Sequence, residues 1–412
     1  MDPLQAPVYR FTAVPSLHHA LAPELDAPPS MTWPQAAGAP LPQPDAGALA
    51  RSRQLQARIC QRIAQAGAWL SFADYMQMAL YEPGLGYYDA GGNKFGPQGD
   101  FVTAPEISPL FAQTIAAQLA EAFGRLPAQV LEFGAGTGAL ARDLIADLQR
   151  RSCAPHAYYI VEVSADLRAR QQQCLAGLPV TWLDRLPERF EGVVIANEVL
   201  DVLPVRLFVR GSDRIYERGV CCERNDLRFS VRPADPDLVR EVATIESVVG
   251  PLPQGYGSEI CPLAAAWIQS LAGCLQRALV LVFDYGFPRR EYYHPQRAMG
   301  TLMCHYRQRA HAEPLWLPGL NDITAHVDFS ACAEAAQRAG LDVLGYTSQA
   351  RFLMNCGILE RLGGAPEPAQ LGAAQRLLSE AEMGELVKVM ALGRGIDIVP
   401  LGFTRADRRH RL

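Results

Sequence analysis

The stretch QVLEFGAGTG (Gln129–Gly138) decides the fold of this chain. Its first five residues form a short, mostly apolar run that is typical of a buried strand, and the glycines that follow predict a tight turn. A second apolar run at 158–163 predicts another strand. The two strands and the segment between them therefore form a strand–helix–strand unit. The helix between them is predicted over 139–150, and its apolar face is made of Leu140, Leu144 and Leu148.

Three glycines, Gly134, Gly136 and Gly138, stand where the strand turns into the helix. Glycine lets the backbone approach a ligand closely, and a helix N-terminus offers free N–H donors. A glycine-rich turn without a ligand is the alternative. Glu162 ends the next strand, where it is either a ribose-binding carboxylate or a surface charge. The spacing G-x-G-x-G differs from a pyrophosphate-binding turn and favours a nucleoside without phosphate.

Further strands are predicted at 192–196 and 278–283. Between them, residues 205–231 alternate apolar and polar side chains around the turn signal Asn225-Asp226, which predicts β-hairpins. Strands separated by helices indicate a parallel, doubly wound sheet. We therefore predict an α/β protein with a Rossmann-like doubly wound sheet, inserted β-hairpins and an N-terminal cover of helices and loop.

Four segments are predicted along the chain. Residues 1–50 are rich in Pro and Ala and indicate a flexible leader. Residues 51–125 carry the cover, with helices starting near Arg53, at Ser71 and at Ser108-Pro109, and a long irregular loop over 81–107. The core is predicted over 126–360, and 361–412 adds a helix, a strand and a solvated basic tail.

Asn197, Glu198 and Asp201 follow the strand at 192–196. At the carboxyl end of a core strand they are expected to face a ligand crevice. Two carboxylates there can orient a guanidinium or amine and stabilise a developing charge. The alternative is a helix N-terminus whose acidic residues complement its dipole.

Two other clusters are suggestive. Asp284-Tyr285-Gly286 closes another core strand, and His326 lies between Asp322 and Asp328 in a predicted loop. A histidine flanked by acids can act as a base, can position a substrate, or can be a satisfied hydrogen-bonding residue. The chain contains no G-x-S-x-G or H-E-x-x-H motif, so hydrolase and zinc-protease functions lack support.

The composition narrows the class of protein further. The chain has 412 residues, 49% hydrophobic side chains and a net charge of -5, which argues against nucleic-acid binding as the main activity. Ten cysteines without C-x-x-C spacing indicate free thiols and no metal site. No apolar run approaches the length of a membrane span, and no secretory signal is visible. A cytoplasmic location is therefore expected.

These motifs together resemble the MidA-like methyltransferases, a family that includes a mitochondrial complex I assembly factor. The resemblance covers most of the chain from about residue 55 to 360, and GDFVTAPEIS combined with NEVLDVLPV is its most specific part. The matching segments are YEPGLGYY (81–88), GDFVTAPEIS (99–108), LEFGAGTG (131–138), VEVS (161–164), NEVLDVLPV (197–205), FDYG (283–286) and DITAHVDF (322–329).

The resemblance implies a class I methyltransferase fold that uses S-adenosyl-L-methionine (SAM). For the mitochondrial relatives it implies symmetric dimethylation of an arginine on a subunit of a respiratory complex. By this resemblance Glu198 and Asp201 would grip the acceptor guanidinium, Gly134, Gly136, Gly138 and Glu162 would hold the cofactor, and Gly99, Asp100 and Thr103 would line its methionine end or the substrate channel. The residues themselves add two candidates, His326 as a third catalytic residue and Asn197 as a cofactor contact.

Three functions are weighed. The first is a protein arginine methyltransferase whose cover forms a channel for an extended segment of a partner protein. The second is a small-molecule methyltransferase, which predicts a closed, largely apolar pocket of roughly a few hundred Å3. The third is an assembly chaperone that captures a partner without essential catalysis. A homodimer is an option that the sequence leaves open, and an NAD-dependent oxidoreductase has the least support.

Overall fold

The structure is a computed structural model that describes residues 41–412 except 92, 93, 95, 97, 98, 101 and 364. Most of the predicted leader, residues 1–40, therefore lies outside the described residues. Within the described residues no helix is long and apolar enough to cross a membrane. The N-terminal cover consists of α1 (Ala46–Gln65), β1 (Leu70–Ser71), α2 (Phe72–Tyr81), α3 (Ala104–Ile107) and α4 (Pro109–Phe123).

The first half of the core alternates strands and helices, as predicted. The strand–helix–strand unit forms where the glycine turn was recognised, and its helix has the predicted bounds. The elements are β2 (Gln129–Phe133), α5 (Ala139–Arg150), β3 (Ala157–Val161), α6 (Ala165–Cys174), β4 (Val180–Leu183) and β5 (Phe190–Asn197).

The inserted hairpins also form. β6 (Arg206–Arg210), β7 (Ile215–Glu223), β8 (Asp226–Pro233) and β9 (Gly257–Ile260) join β1 in a five-stranded sheet, and α7 (Pro236–Val249) precedes β9. Asn225 takes a left-handed φ of 70° in the turn between β7 and β8, as hairpin turns require. Gly219 allows β1 to approach, since a Cβ there would lie 2.2 Å from the backbone oxygen of Leu70. We call this unit the inserted sheet.

The second half of the core returns to the main sheet. Three short strands, β11 (Met303–Tyr306), β12 (Arg309–His311) and β13 (Asp322–Thr324), form a separate small sheet in the order β12–β11–β13. The elements are α8 (Pro262–Cys274), β10 (Leu275–Phe287), α9 (Arg289–Tyr292), β11 (Met303–Tyr306), β12 (Arg309–His311), β13 (Asp322–Thr324), β14 (Val327–Asp328), α10 (Phe329–Arg338), β15 (Asp342–Ser348), α11 (Gln349–Asn355), α12 (Ile358–Leu362), α13 (Pro368–Leu378), α14 (Met383–Leu386) and β16 (Val387–Arg394), followed by 3-10 turns at Leu401–Phe403 and Arg409–Arg411.

The main sheet has the strand order β15–β16–β10–β5–β2–β3–β4, with β14 beside the end of β10. β10, β5, β2, β3 and β4 are parallel, and β16 runs antiparallel to both of its neighbours, β10 and β15, so β15 points in the same direction as the parallel strands. Alternate strand residues pack into two cores: Val130 contributes to the core beneath α4 and α5, and Leu131 to the core beneath α8 and α10. Burial on both faces confirms the doubly wound sheet, and the carboxyl ends of its parallel strands form one edge.

Two expectations need correction. α1 begins at Ala46, inside the predicted leader, because Asp45 caps it by accepting a hydrogen bond from the Ala48 N–H at 2.8 Å. The prediction that all cysteines are free thiols is wrong, since Cys60 and Cys222 form a disulfide between α1 and β7. That pairing joins residues 162 apart, and spacing alone could not reveal it.

The predicted basic tail is folded against the core. The Arg408 guanidinium contacts the Glu385 carboxylate at 2.6 Å, and the Arg411 guanidinium pairs with Glu291. These two ion pairs hold the tail on the core, whereas Arg405, Arg409, His410 and Arg411 remain exposed to solvent.

Candidate active site

A cavity of about 710 Å3 opens at the carboxyl edge of the main sheet. The cover and the small sheet of β11–β13 complete its walls. Three large apolar side chains among its lining residues are more than a third exposed: Val163 (39%), Met303 (37%) and Leu386 (40%). The cavity thus reaches the protein surface. It brings together eight of the ten residues predicted for the site, namely Thr103, Gly134, Gly136, Glu162, Asn197, Glu198, Asp201 and His326.

The glycine turn forms the floor of one half of the cavity. Gly134, Gly136 and Gly138 have left-handed φ values of 58°, 54° and 89°, which side chains with a Cβ rarely adopt. Gly138 does not line the cavity, but it ends the turn as the N-cap of α5 and has no side chain to cap the helix. The first N–H groups of α5 remain donors for a ligand, so the turn fits a nucleoside cofactor.

Glu162 lies beside this turn in a short hydrogen-bond network. Its Oε1 accepts from the Ser164 N–H at 2.9 Å, and its Oε2 accepts from Nε2 of Gln171 at 2.9 Å. The same Nε2 donates to the backbone oxygen of Gly136 at 3.0 Å, while the Gln171 Oε1 accepts from Trp182. Gln171 is fully buried and links the carboxylate to the glycine turn.

The cover contacts the same turn through α3. The Thr137 hydroxyl donates to Glu106, a cavity-lining residue of α3, and Thr103 is the N-cap residue of that helix. Asp100 is different, because it does not line the cavity. Its Oδ2 accepts from the Tyr87 hydroxyl at 2.9 Å and its Oδ1 from the Arg307 N–H at 2.6 Å. It joins the cover to the β11–β12 turn, and the lining of the cavity gives no support to its predicted role as a cofactor ligand.

Glu198 stands at the opposite side of the turn in a strained backbone conformation. Its φ is 53°, which is uncommon for a residue with a side chain and costs energy unless the surroundings hold it. The carboxylate lines the cavity, and its Oε1 accepts from the Asn197 side chain at 3.3 Å and from the Ala104 N–H at 3.5 Å. Burial, and then the charge of Asp284, raises the pKa of Glu198 to about 8.

Asp201 and Asp322 bring two more carboxyl groups to the cavity. Asp201 is 5% exposed, and its Oδ1 has no hydrogen-bond partner among the described residues. Burial, and then the charges of Asp284 and Glu198, raises the pKa of Asp201 well above its usual value. Asp322 accepts from the Tyr88 hydroxyl at 2.8 Å, and burial raises its pKa to about 7. This half of the cavity is short of donors, so it suits a cationic ligand that carries several N–H groups.

His326 lines the wall opposite the glycine turn. Its ring lies 6.1 Å from the Tyr285 ring and 5.3 Å from the Phe287 ring, measured between centroids. Burial, and then the charges of Arg297 and Lys388, lowers the pKa of His326 to about 4. The ring is therefore neutral at physiological pH and is a weak base, which favours a positioning role over proton transfer.

A buried carboxylate of the inserted sheet fixes the His326 backbone. Oε1 of Glu259 accepts from the Thr301 N–H at 2.8 Å, the Thr301 hydroxyl at 2.7 Å and the Tyr292 hydroxyl at 2.7 Å. Thr301 Oγ1 accepts from the His326 N–H at 2.8 Å, and Tyr292 also contacts the His326 carbonyl oxygen at 2.9 Å. Gly300 permits this packing, since a Cβ there would lie 2.0 Å from Glu259 Oε2.

Sequence reasoning missed several of these residues. Gln171 and Glu259 belong to no recognised motif, and only their contacts connect them to the cavity. Glu106 lies within GDFVTAPEIS but was not singled out as a site residue, although it lines the cavity and accepts from Thr137. Asp322 was noticed only as a neighbour of His326. Among the described residues no group of three or more His, Cys, Asp or Glu side chains is arranged to hold a metal ion.

The chain is similar to known methyltransferases. A family described as "Putative S-adenosyl-L-methionine-dependent methyltransferase" matches residues 114–347, more than half of the chain. The mouse mitochondrial protein arginine methyltransferase NDUFAF7 is 30% identical over 369 residues, which cover 78% of this chain and 80% of the mouse protein. Its Drosophila melanogaster homolog is 28% identical, covering 87% of this chain and 89% of that protein.

A bacterial crystal structure is more similar still. It is a methyl-transferase-type protein from Burkholderia thailandensis bound to S-adenosyl-homocysteine, with 47% sequence identity and a TM-score of 0.85. The match covers 90% of this chain and 100% of that one. A second crystal structure from the same organism, in a native form, gives 46% identity and a TM-score of 0.83.

Proposed function

Because the chain belongs to this family of S-adenosyl-L-methionine-dependent methyltransferases, we propose that its acceptor is an arginine side chain in a partner protein. The observation that carries the proposal is the group of buried carboxyls beside the glycine turn. Glu198, Asp201 and Asp322 line the same cavity, and burial raises the pKa of each of them. A guanidinium supplies five N–H donors and a positive charge, which is what such a site requires.

SAM supplies a methyl group on a positively charged sulfur. We propose that the N–H groups at the start of α5, Gly134 and Gly136 hold the methionine part, with Thr103 nearby. Glu162 would bind the ribose hydroxyls, oriented by Gln171. Asn197 lines the cavity between the two halves and would contact the cofactor on one side and Glu198 on the other.

Glu198 and Asp201 would align the acceptor nitrogen and take its proton. When an N–CH3 bond forms, the electron pair of the broken S–CH3 bond stays on sulfur and one N–H proton must leave. Glu198, with a pKa of about 8, is better matched to accept that proton near neutral pH than His326, whose pKa is about 4. His326 would instead form part of the wall against which the acceptor packs.

The protein nature of the acceptor is supported by the mouth of the cavity. Val163, Met303 and Leu386 are exposed there and offer apolar contacts to an extended segment that enters from outside. A closed, largely apolar pocket was the expectation for a small-molecule substrate. The cavity of about 710 Å3 also has a largely apolar lining, but it reaches the surface and carries several acidic side chains. Relatives named as protein arginine methyltransferases point in the same direction.

We further propose a cytoplasmic location, since eight of the ten cysteines are free thiols. Counting reactive thiols in protein purified without reductant tests this proposal together with the Cys60–Cys222 bond. Eight thiols indicate that the bond forms, and ten indicate that it stays reduced. Association into a homodimer remains a prediction, which sedimentation of the purified protein measures.

The first experiment separates cofactor binding from acceptor chemistry. Wild-type protein is titrated by calorimetry with SAM, S-adenosyl-homocysteine and NAD, beside a Gly136→Val variant whose side chain is strained at φ 54°. We expect the first two ligands to bind and the variant to lose them. Radiolabelled SAM and arrayed peptides that carry arginine, or lysine in its place, then test the acceptor. Equal labelling of both series would contradict the arginine assignment.

A further inference from the structure

Asp284 is a buried acid that the proposed chemistry does not use. It follows Phe283 near the end of β10, has no exposed surface and does not line the cavity. Its carboxylate accepts three backbone hydrogen bonds: Oδ2 from the N–H groups of Leu200 at 2.8 Å and Val199 at 3.2 Å, and Oδ1 from that of Tyr285 at 2.9 Å. Two of these donors belong to the turn that carries Glu198 and Asp201.

The backbone N–H groups of that turn need hydrogen-bond acceptors from another part of the chain. Glu198 has a φ of 53°, and its own N–H donates to the Phe283 oxygen at 2.8 Å, which continues the pairing of β5 with β10. The chain then leaves the strand, so the Val199 and Leu200 N–H groups lie beyond the ladder and would be unpaired in the interior. Asp284 accepts both of them and thereby stabilises a backbone conformation that a non-glycine residue rarely adopts.

The charge of Asp284 also acts on the two acids. After burial, the charge of Asp284 is the largest cause that raises the pKa of Glu198 and of Asp201. Burial raises the pKa of Asp284 to about 7. The titratable groups that face it are Glu198 and Asp201 on the turn, Tyr285 beside it, and the thiols Cys261 before α8 and Cys332 in α10, with Asp322 of β13 acting on the same acids.

We propose that Asp284 is a positioning residue that holds the Glu198–Asp201 turn in its strained form and, by its charge, keeps this acid pair partly protonated until a cation enters. The inference rests on the proposed function, because the cation is the acceptor guanidinium. Entry of that cation stabilises the ionised carboxylates and releases a proton to solvent. A buried aspartate that merely completes the hydrogen bonding of a turn would have no such effect on the charge state of the cavity.

The test uses Asp284→Asn in the full chain. The amide keeps the volume and one acceptor oxygen, but it removes the charge and turns an NH2 group towards backbone donors. We expect SAM affinity within about twofold of wild type and kcat about 100-fold lower, since a misplacement near 1 Å has effects of that size. Asp147→Asn, which removes a 5% exposed aspartate paired with Arg151 outside the site, is the matched control and should leave kcat unchanged.

Two further measurements separate this inference from the proposed function. Carbon-13 NMR titration of the Glu198 and Asp201 carboxyl groups needs no acceptor, and both should ionise at lower pH in Asp284→Asn. If the wild-type protein transfers no label to arginine peptides but Glu198 and Asp201 still ionise at lower pH in Asp284→Asn, the proposed function fails and the electrostatic role of Asp284 stands. If Asp284→Asn does not fold, Asp284→Ser is used, because its uncharged hydroxyl still accepts one hydrogen bond. Unshifted titration in a folded variant, or normal kcat, overturns the inference.

Discussion

The cavity can be divided into a cofactor half, lined by Gly134, Gly136 and Glu162, and an acceptor half, lined by Glu198, Asp201 and Asp322. The two halves are held together by different kinds of contact. In the cofactor half, the hydrogen bonds that connect Gly136, Glu162 and Gln171 join residues at most 35 positions apart. In the acceptor half, the bonds that hold the acids join residues 84 and 234 positions apart, as between Asp284 and Leu200 or between Tyr88 and Asp322. The proposed cofactor site is thus one local unit, whereas the proposed acceptor wall is assembled from most of the chain.

The chemistry of the two halves differs in the same way. The cofactor half relies on backbone N–H groups at a helix start, which almost any sequence with the right glycines can offer. The acceptor half relies on buried carboxyls whose pKa values are raised by their burial and mutual repulsion. Changes in one half should therefore alter binding of SAM, and changes in the other should alter turnover.

Glu198→Gln should give the largest difference between the effect on turnover and the effect on SAM binding. The amide keeps the shape of the side chain but cannot accept a proton or balance a guanidinium charge. We expect kcat to fall by about 1,000-fold, with SAM affinity nearly unchanged in calorimetry. Loss of SAM binding together with turnover would contradict the division into halves, and normal turnover would remove Glu198 from the mechanism.

Gln171→Leu should produce the opposite pattern with a smaller effect. The substitution removes the partners of Glu162 Oε2, the Gly136 oxygen and the Trp182 N–H. We expect SAM to bind about tenfold more weakly, because those groups lose their hydrogen bonds, while kcat at saturating SAM stays near wild type. Gln172→Leu, in the exposed residue that follows, is the control. A drop in kcat at saturating SAM would argue against a purely local cofactor half.

Thr301→Val tests whether the inserted sheet acts on the acceptor half. Valine preserves the shape of threonine but leaves the His326 N–H without its acceptor. We expect kcat/KM for the acceptor to fall about fivefold, while Thr301→Ser, which keeps the hydroxyl, restores it. The measurement is steady-state kinetics with varied acceptor. Equal values for valine and serine would show that the Glu259 network is not coupled to turnover.

The smallest expected effect concerns stability and pH. Burial raises the pKa of Glu198 in the folded protein from its ordinary value of 4.5 to about 8, so the folded protein retains a proton that the unfolded chain releases between these values. Stability should therefore fall as pH rises from about 4.5 to 8. Calorimetric scans without ligand should show Glu198→Gln losing less stability over this range, with a Tm roughly 2 °C above wild type at pH 8. An identical pH dependence in both proteins would refute the raised pKa.

The same contrast explains what could be predicted from the sequence. The bounds of α5 and the start of α4 at Ser108-Pro109 follow from apolar spacing and capping residues, which are local signals. Glu198 and Asp201 were found because they directly follow a core strand. Glu259 was not predicted, because its role arises from contacts with residues that are remote in sequence, such as Thr301. Gln171 was not predicted, because a single polar side chain on a helix gives no pattern that sequence analysis can recognise. The Cys60–Cys222 pair escaped for the same reason.

The link between α1 and β7 also sets an order of events during synthesis. Leu55, Ile59 and Ile63 form the apolar face of α1, and their neighbours include residues of the inserted sheet. The sulfur partners are 162 residues apart, which at ribosomal rates of roughly 5–20 residues per second corresponds to about 8–32 seconds. During that interval α1 has emerged from the ribosome, but its partner strand β7 has not. A chaperone that shields this face should therefore raise the yield of folded protein more than one that acts after release.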